Sequence, residues 1–394
     1  MADPTSCGKD ADPRDGSLRA MVVFLVLVKL YGLAVLYVLF LRTPMKDEEV
    51  GFIFLPRGQL RTERVEEIRD SFWHRLTPYD GQWYQDIALK GYRRLTGRES
   101  LGGKLPAGNY AFFPLLPLLI RGVESLLGAV YLPVALVLTI AASAGGALVL
   151  WFLARELRVD AWLAVVLLVT FPSAAFQLVL YTEGLFLLLS GLALFFAIRR
   201  RVLPSGLFGG LAGLCRPQGI LLLLPLAVEL LGPRSRGGES RSAPLLGRVA
   251  AALMPLSGFA VMAAHHSVAF VEIQGAWGRS YGPLNVLDAL GAAVGYGGPP
   301  ADMIGLALGI ALLPMMWRRL PVSFALYGTG AVLLPLLTGS LLSFGRFLSV
   351  SIPHFLCLSI WLEKRPRLRN VVIVAFVVFQ VLLAKGLMGW YLVG

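Results

Sequence analysis

The chain alternates long apolar stretches with short polar links. From Met21 to the C-terminus, apolar stretches of about 20 residues recur, and each is long enough to cross the roughly 30 Å hydrocarbon core of a bilayer. Lipid offers no hydrogen-bond partners to the backbone, so these stretches are predicted to be helices. The alternation of apolar and polar residues that marks a membrane barrel is absent from the sequence. The pattern therefore predicts an all-α, polytopic membrane protein.

Eleven transmembrane helices are predicted within one domain, residues 20–394. They cover residues 20–42, 130–154, 160–178, 180–199, 204–215, 217–231, 246–271, 301–317, 321–340, 346–362 and 370–392. The polar segment 1–19 is predicted to be a disordered cytoplasmic tail. Two longer segments, 43–128 and 272–300, are predicted to be extracytoplasmic loops, and loops of this length are usually functional or disordered. The proline-containing apolar run 111–120 predicts an interrupted helix at the membrane interface.

Composition and charge support membrane insertion. Only 15% of the 394 residues are charged, whereas a soluble domain has about 25%. The formal net charge of +12 would suit nucleic-acid binding, but Lys and Arg lie mainly in the short links, as the positive-inside rule predicts for cytoplasmic loops. We therefore expect no nucleic-acid partner and a cytoplasmic N-terminus. The Arg-, Ala- and Gly-rich composition favours a bacterial plasma membrane, while a eukaryotic source would place the protein in the endoplasmic reticulum.

The segment 203–231 decides whether this charge rule holds along the whole chain. If the segment crosses the membrane out and back, with Arg216-Pro217 near its outer tip, every basic link falls on one side. A single kinked span would instead put the next Arg-rich link outside. We therefore predict a tight hairpin. Its run Gly209-Gly210-x-x-Gly213 predicts close helix packing rather than a nucleotide-phosphate loop.

Cysteine and histidine spacing indicates no metal site. Cys7, Cys215 and Cys357 form no metal-binding spacing or evident disulfide pair, and the four histidines match no metal motif. We expect no metal and no cofactor. His354 is expected to hydrogen-bond inside the helix bundle, with contact to a bound phosphate as the alternative.

The most specific local signal is the run Tyr79-Asp80-Gly81-Gln82-Trp83-Tyr84-Gln85-Asp86-Ile87-Ala88-Leu89-Lys90-Gly91-Tyr92. Apolar positions 83, 84, 87, 88 and 91 follow helical spacing, so an amphipathic helix is expected. Asp80 could cap this helix, or its carboxylate could act as a general base at the outer membrane surface. Asp86, the runner-up as a base, is expected to be a solvated helix charge.

The same run closely resembles the Trp-Asp-Gly-x-Trp-Tyr-x-x-Ile-Ala-x-x-Gly-Tyr signature of PIG-V-type mannosyltransferases, with Tyr79 in place of the usual Trp. That family includes the second GPI mannosyltransferase and many bacterial relatives. Similar motifs follow in the family's order, and they are Phe112-Phe113-Pro114-Leu115-x-Pro117, Tyr181-Thr182-Glu183, Arg216-Pro217-Gln218-Gly219, Gln274-x-x-Trp277-Gly278-Arg279 and Gly345-Arg346-Phe347. The resemblance implies the GT-C glycosyltransferase fold.

What the resemblance implies is an inverting transfer of mannose from a polyprenyl-phosphate donor to a hydroxyl of a lipid or glycan acceptor, at the extracytoplasmic face. The family's catalytic base maps onto Asp80. Arg346 and Arg216, with Arg279 third, would bind the donor phosphate, because arginine donates paired hydrogen bonds to phosphate oxygens. Snorkelling to the interface, or a structural ion pair with Glu183, is the alternative for these arginines.

Further residues are predicted to bind substrate. A charge within a span costs at least about 2.5–3.5 kcal/mol at its centre, so Glu183 is expected to face the same cavity as the arginines. The flat rings of Trp83, Tyr84 and Trp277 could stack on a sugar, although interfacial aromatic residues are more often membrane anchors. The remaining two candidates are Gln82 and Gln218.

Other functions fit parts of the pattern. A GT-C transferase of another lipid-linked sugar, such as arabinose, glucose or aminoarabinose, would carry a similar first outer loop. A lipid or solute transporter would be expected to show repeated halves and polar residues near the midplane. Here the charged residues within the predicted spans, Glu183, Arg216 and Arg346, instead map near the outer ends of their helices. A non-catalytic protein on the same fold would have a dispensable Asp80.

Overall fold

The structure is a computed structural model, and it describes residues 17–45, 61–92, 109–128, 131–232, 243–265, 279, 282–296 and 300–391. Within these ranges the protein is all-helical and contains no strand. The predicted tail up to residue 16 and residues 272–278, 280–281 and 297–299 of the second predicted loop, among them Trp277, lie outside these ranges.

The α-helices are α1 (Leu18–Arg42), α2 (Arg61–Asp70), α3 (Phe72–Arg75), α4 (Asp80–Lys90), α5 (Leu115–Leu127), α6 (Tyr131–Glu156), α7 (Ala161–Thr170), α8 (Glu183–Ile198), α9 (Val202–Cys215), α10 (Leu223–Leu231), α11 (Leu245–His265), α12 (Asn285–Tyr296), α13 (Pro300–Arg319), α14 (Val322–Leu336), α15 (Phe344–Leu348), α16 (Ile352–Glu363) and α17 (Pro366–Gly389). Short 3-10 segments cover Asn109–Ala111, Pro172–Leu178, Pro217–Leu222 and, inside α11, Met254–Leu256.

Among the described residues, five helices are long and apolar enough to cross a membrane: α1, α6, α11, α13 and α17. The bent pair formed by α7 and Pro172–Leu178 would make a sixth. Other apolar helices, including α8, α9, α14 and α16, are shorter than 18 residues. The predicted helix 346–362 is divided into α15 and α16. The membrane-embedded, all-α class is therefore confirmed, and the count of eleven spans stays a prediction.

The predicted helix 160–178 is wrong in its second half. The chain bends by 78° between α7 and Pro172–Leu178. Proline cannot donate the next helical hydrogen bond, so the last carbonyl groups of α7 need other donors. The side-chain amide of Gln380, on α17, donates to the carbonyl oxygens of Val169 at 3.0 Å and Phe171 at 3.3 Å. The bend is thus stabilised from a neighbouring helix.

Contacts between helix ends bring the basic links together at one end of the bundle. They are Arg199 Nη2 to Glu156 Oε2 (2.8 Å), Arg200 Nη1 to the Gly232 carbonyl (3.2 Å), Arg248 Nη1 to the Leu230 carbonyl (3.4 Å), Ser323 Oγ to Glu229 Oε1, and Ser359 Oγ to the Asp160 carbonyl (2.9 Å). We call this region, defined by those ten residues, the basic end. The side of the membrane that it faces stays a prediction.

The hairpin predicted around Arg216 is present. After α9, the 3-10 segment Pro217–Leu222 and α10 return beside it to the basic end. Glycine permits the close approach: a Cβ added to Gly213 would lie 2.3 Å from the carbonyl oxygen of Pro255, and one on Gly219 would lie 2.5 Å from the Cα of Gly213. The packing role predicted for the glycine run is confirmed.

Apolar surface is divided between a buried core and an exposed outer face. The main buried cluster is contributed by α6, α7, α8 and α14 to α16, and a second one joins α4 and α5 to the segment before α8. Val23 and Leu27 of α1, and Leu118 and Leu126 of α5, are more than half exposed. Exposed leucine and valine side chains are expected where a helix faces lipid.

Candidate functional site

Two guanidinium groups and two carboxylates meet at the end of the bundle opposite the basic end. Arg346 Nη2 lies 2.8 Å from Asp80 Oδ2 and 2.8 Å from Glu183 Oε1, and Arg346 Nε donates to the same Glu183 oxygen at 2.9 Å. Arg216 Nη1 lies 2.9 Å from Glu183 Oε1, although its N–H is not aligned for a hydrogen bond. We call Asp80, Glu183, Arg216 and Arg346 the ion cluster. The convergence of these residues, expected from the sequence, is therefore present.

The two acidic residues are each the first residue of a helix, α4 for Asp80 and α8 for Glu183. The segments that precede them are joined by a hydrogen bond of 2.9 Å from the Leu180 N–H to the Leu76 carbonyl. Gly81 packs closely against the segment before α8, because a Cβ added to it would lie 3.1 Å from the Leu180 carbonyl oxygen. The backbone of the two loops therefore fixes the separation of the two carboxylates.

Close packing also sets the position of Glu183. A Cβ on the neighbouring Gly184 would lie 2.7 Å from the carbonyl oxygen of Thr139 and 2.6 Å from the Cβ of Ser143, so α8 begins in direct contact with α6. Glycine at this position lets two apolar helices approach closely. The first turn of α8 has little freedom to move.

Arg216 ends α9 because the residue before a proline is disfavoured in the α conformation. Its backbone is extended, with φ −155° and ψ 154°. The side-chain Nε donates to Gln218 Oε1 at 2.7 Å, so the Arg-Pro-Gln segment holds its own arginine in place. Gln218, predicted to bind substrate, thus orients Arg216.

Arg346 lies on the short helix α15, whose start is held by Asp302 of α13. The Asp302 carboxylate accepts hydrogen bonds from the backbone N–H of Gly345 at 2.7 Å and of Ser343 at 3.2 Å. Sequence reasoning did not single out Asp302. The signal that could have found it is a carboxylate placed near the start of an apolar helix, where it needs a buried partner.

Aromatic rings surround the cationic members of the cluster. The Arg346 guanidinium carbon lies 4.8 Å from the ring centroid of Phe176 and 4.6 Å from that of Tyr181. The guanidinium carbons of Arg216 and Arg279 lie 5.6 Å and 5.7 Å from the ring centroid of Phe347. These are cation–π distances. Arg279, third among the predicted phosphate ligands, is therefore placed at the edge of the cluster.

Exposure distinguishes Asp80 from the rest of the cluster. Its side chain is 27% exposed, compared with 9% for Arg346, 6% for Arg216 and none for Glu183. Three further buried atoms, Glu183 Oε2, Gln82 Nε2 and Ser173 Oγ, have no hydrogen-bond partner among the described residues. Buried polar atoms of this kind mark positions for water or a ligand.

Trp83 and Tyr84 are buried in the helix packing. The Trp83 ring stacks on Phe112, with centroids 5.8 Å apart and planes at 18°, and Tyr84 meets the same ring edge-on at 5.2 Å. The Tyr84 hydroxyl lies 3.4 Å from Thr182 Oγ1, next to Glu183. Burial raises the pKa of Tyr84 far above its usual value, so this hydroxyl stays protonated. The ring contacts join α4 to the segment before α5, and the Tyr84 hydroxyl joins it to the residue before α8. Sugar stacking by either ring stays a prediction.

The expectation that Asp86 is solvated is wrong. Its side chain is fully buried, where one carboxylate oxygen pairs with Lys90 at 3.1 Å and the other accepts from the Asn109 amide at 3.2 Å. Residues 81–88 are all buried, so α4 has no polar face exposed to solvent over that stretch. Capping by the Asp80 side chain is not observed either: the N-cap position of α4 is Tyr79, without a side-chain hydrogen bond.

The expectation that His354 hydrogen-bonds inside the helix bundle is confirmed, because its Nδ1 lies 2.8 Å from Ser351 Oγ. Among the described residues, no group of three or more His, Cys, Asp or Glu side chains is arranged to hold a metal ion.

No protein-family model, curated protein or solved structure matches this chain. The resemblance to PIG-V-type mannosyltransferases therefore rests on the motifs quoted above.

Proposed function

We propose that the protein is an inverting glycosyltransferase. It moves a mannosyl residue from polyprenyl-phosphate-mannose to a hydroxyl of a lipid or glycan acceptor at the extracytoplasmic membrane face. One observation carries the proposal: Asp80, Glu183, Arg216 and Arg346, which belong to four separate motifs of that family, meet in one buried ion cluster.

Asp80 is the proposed general base because it is the most exposed carboxylate of the cluster. The acceptor hydroxyl oxygen attacks the anomeric carbon, and its proton passes to Asp80. The bond from that carbon to the phosphate oxygen breaks at the same time, and the phosphate leaves with the electron pair. Attack opposite the leaving group inverts the anomeric carbon. A positioned general base contributes about 10²–10⁴-fold to such a rate.

The leaving phosphate needs cationic groups, and three arginines lie at or beside the cluster. Arg346 and Arg216 both contact Glu183, while Arg279 shares the Phe347 ring with Arg216. With Asp80 and Glu183 ionised, three guanidinium groups and two carboxylates leave one net positive charge for an anionic donor. Preorganised charge of this kind stabilises the negative charge that develops in the transition state.

Glu183 has a positioning role in this proposal. It is fully buried and holds two guanidinium groups at 2.8 and 2.9 Å. A buried carboxylate between two arginines holds both guanidinium groups in place, and that of Arg346 also contacts Asp80. The structural ion pair and phosphate binding are thus roles that the same arginines can share.

The experiment is transfer by the full chain reconstituted in vesicles, with polyprenyl-phosphate-mannose as donor and arabinose, glucose and aminoarabinose donors alongside. Mannose transfer is expected, and Asp80→Asn should lower its rate by about 10²–10⁴-fold while the variant stays folded. The matched control is Asp86→Asn, which also removes a carboxylate from α4 but lies outside the ion cluster, and it should retain transfer per folded molecule.

Each other outcome decides against part of the proposal. Near-normal transfer by Asp80→Asn would remove Asp80 as the base. Transfer of another sugar alone would replace mannose as the donor. Movement of a lipid or solute across the vesicle membrane without sugar transfer would replace the enzyme by a transporter.

A further inference from the structure

A cavity lies at the basic end, away from the ion cluster. It has a volume of about 810 Å³ and is lined by the link before α9, α9 itself and α11, with Arg200 and Arg201 on its wall. Glu183 is the first residue of α8 and Arg200 lies two residues after its end, and the 16 residues of this helix span about 24 Å at about 1.5 Å per residue. The cavity is therefore separate from the proposed active site.

The walls of this cavity are apolar and its floor is made of small residues. Leu203 and Leu207 contribute from α9 and Met254 from α11, and all three side chains are exposed. The helices touch at the floor, where a Cβ on Gly206 would lie 2.8 Å from the Cα of Ala251. Gly247 also lines the cavity, and because it has no side chain it leaves the space above this contact open. A cavity of this size and lining suits an apolar chain.

Positive charge is concentrated beside these apolar walls. Arg200 is held by its hydrogen bond of 3.2 Å to the Gly232 carbonyl, and Arg201 precedes the N-terminus of α9, the positive end of the helix dipole. Arg199 and Arg248 lie at the same end of the bundle. Basic pockets between membrane helices favour anionic lipid headgroups over zwitterionic ones.

We propose that this cavity binds one anionic phospholipid. Its phosphate lies at Arg200 and Arg201, and its acyl chains pack on Leu203, Leu207 and Met254. A free phosphate ion would leave the apolar walls uncovered, and a zwitterionic lipid would add a cation beside the arginines. The charge and the walls together therefore select a lipid with a net negative headgroup.

The test compares the full chain with two variants. Arg201→Gln removes one charge. Gly247→Leu fills the cavity, and the site tolerates it because a Cβ there would meet no atom closer than 3.7 Å. The control is Arg319→Gln, an exposed arginine of another basic link that does not line the cavity. Binding is measured by native mass spectrometry with phosphatidylglycerol, with phosphatidylcholine of the same acyl chains, and with inorganic phosphate.

Phosphatidylglycerol is expected to bind, and more tightly than phosphatidylcholine or phosphate. Arg201→Gln should weaken it about 10- to 150-fold, because a hydrogen bond to a charged group contributes about 1.5–3 kcal/mol and 1.4 kcal/mol corresponds to tenfold in affinity. Gly247→Leu should abolish binding, and Arg319→Gln should leave it unchanged. Equal binding of both lipids, or binding that survives in both cavity variants, would overturn the proposal. Loss of mannose transfer would not bear on it.

Discussion

The hydroxyl of Tyr79 donates a hydrogen bond to the backbone carbonyl of Trp390, and the two rings lie 6.1 Å apart between centroids. Trp390 follows the last helix, and its indole N–H donates in turn to the Arg75 carbonyl at 3.3 Å. The residue that follows α17 therefore holds the loop that leads into Asp80. Tyr79 itself has φ 42°, a region that non-glycine residues rarely adopt.

Removing this hydroxyl should loosen the loop. Tyr79→Phe is expected to lower the free energy of unfolding by about 1 kcal/mol, the usual contribution of one hydrogen bond. It should also lower the transfer rate, because Asp80 is the next residue. Tyr37→Phe is the control, since Tyr37 lies on the exposed face of α1 and its ring contacts would remain. Equal unfolding curves for the two variants in detergent would contradict a role for the Tyr79 hydroxyl.

Charge removal at Glu183 should be among the most damaging single changes. Glu183→Gln leaves Arg216 and Arg346 buried without their shared carboxylate, and breaking a buried ion pair costs about 3–5 kcal/mol. Glu156→Gln breaks a pair with Arg199 at the same 2.8 Å distance, but both of its side chains are more than 40% exposed. Exposed pairs contribute at most about 1 kcal/mol. Denaturant unfolding of both variants measures the difference, and similar losses would speak against a buried cluster.

The hairpin should not tolerate a side chain at Gly213. Gly213→Ala places a Cβ 2.3 Å from a backbone oxygen of α11, so a helix must shift, at an expected cost of about 1–3 kcal/mol. In Gly122→Ala the new Cβ meets no atom within 4 Å on a regular helix, so the change should be neutral or stabilise by about 0.5–1 kcal/mol. Thermal unfolding of the pair gives the comparison, and a stable Gly213→Ala variant would show that α9 and α11 pack less closely.

The bend after α7 should depend on Gln380. Gln380→Leu leaves the carbonyl oxygens of Val169 and Phe171 without their side-chain donor, at an expected cost of about 1–3 kcal/mol. Thr170→Val is the control, because its hydroxyl bonds to the Val166 carbonyl, which already accepts a bond within α7. Faster hydrogen exchange at residues 168–174 would show that the bend has loosened. Unchanged protection in Gln380→Leu would show that the Gln380 hydrogen bonds do not stabilise the bend.

The parts of the fold that could be predicted are those that charge and hydropathy determine. Arg216 and Glu183 stand in apolar segments and need polar partners, so their convergence follows from the cost of an unpaired charge in lipid. The bend before Pro172 was missed because hydropathy reports only that the segment 160–178 is apolar overall. The proline does signal a helix break, but it does not give the angle of the bend. Asp86 was misjudged because helical spacing assigns it to a polar face, while Asn109, distant in sequence, covers that face.

The shortness of the helices beside the ion cluster sets its depth. The 16 residues of α8 rise about 24 Å and the 14 residues of α9 about 21 Å, whereas the hydrocarbon core is about 30 Å thick. If the basic end lies at one boundary of such a core, α8 and α9 end about 6–9 Å before the other boundary. Under the proposed function, a substrate would then bring its reacting group below the headgroup level, which a headgroup on a lipid tether can do without leaving its leaflet.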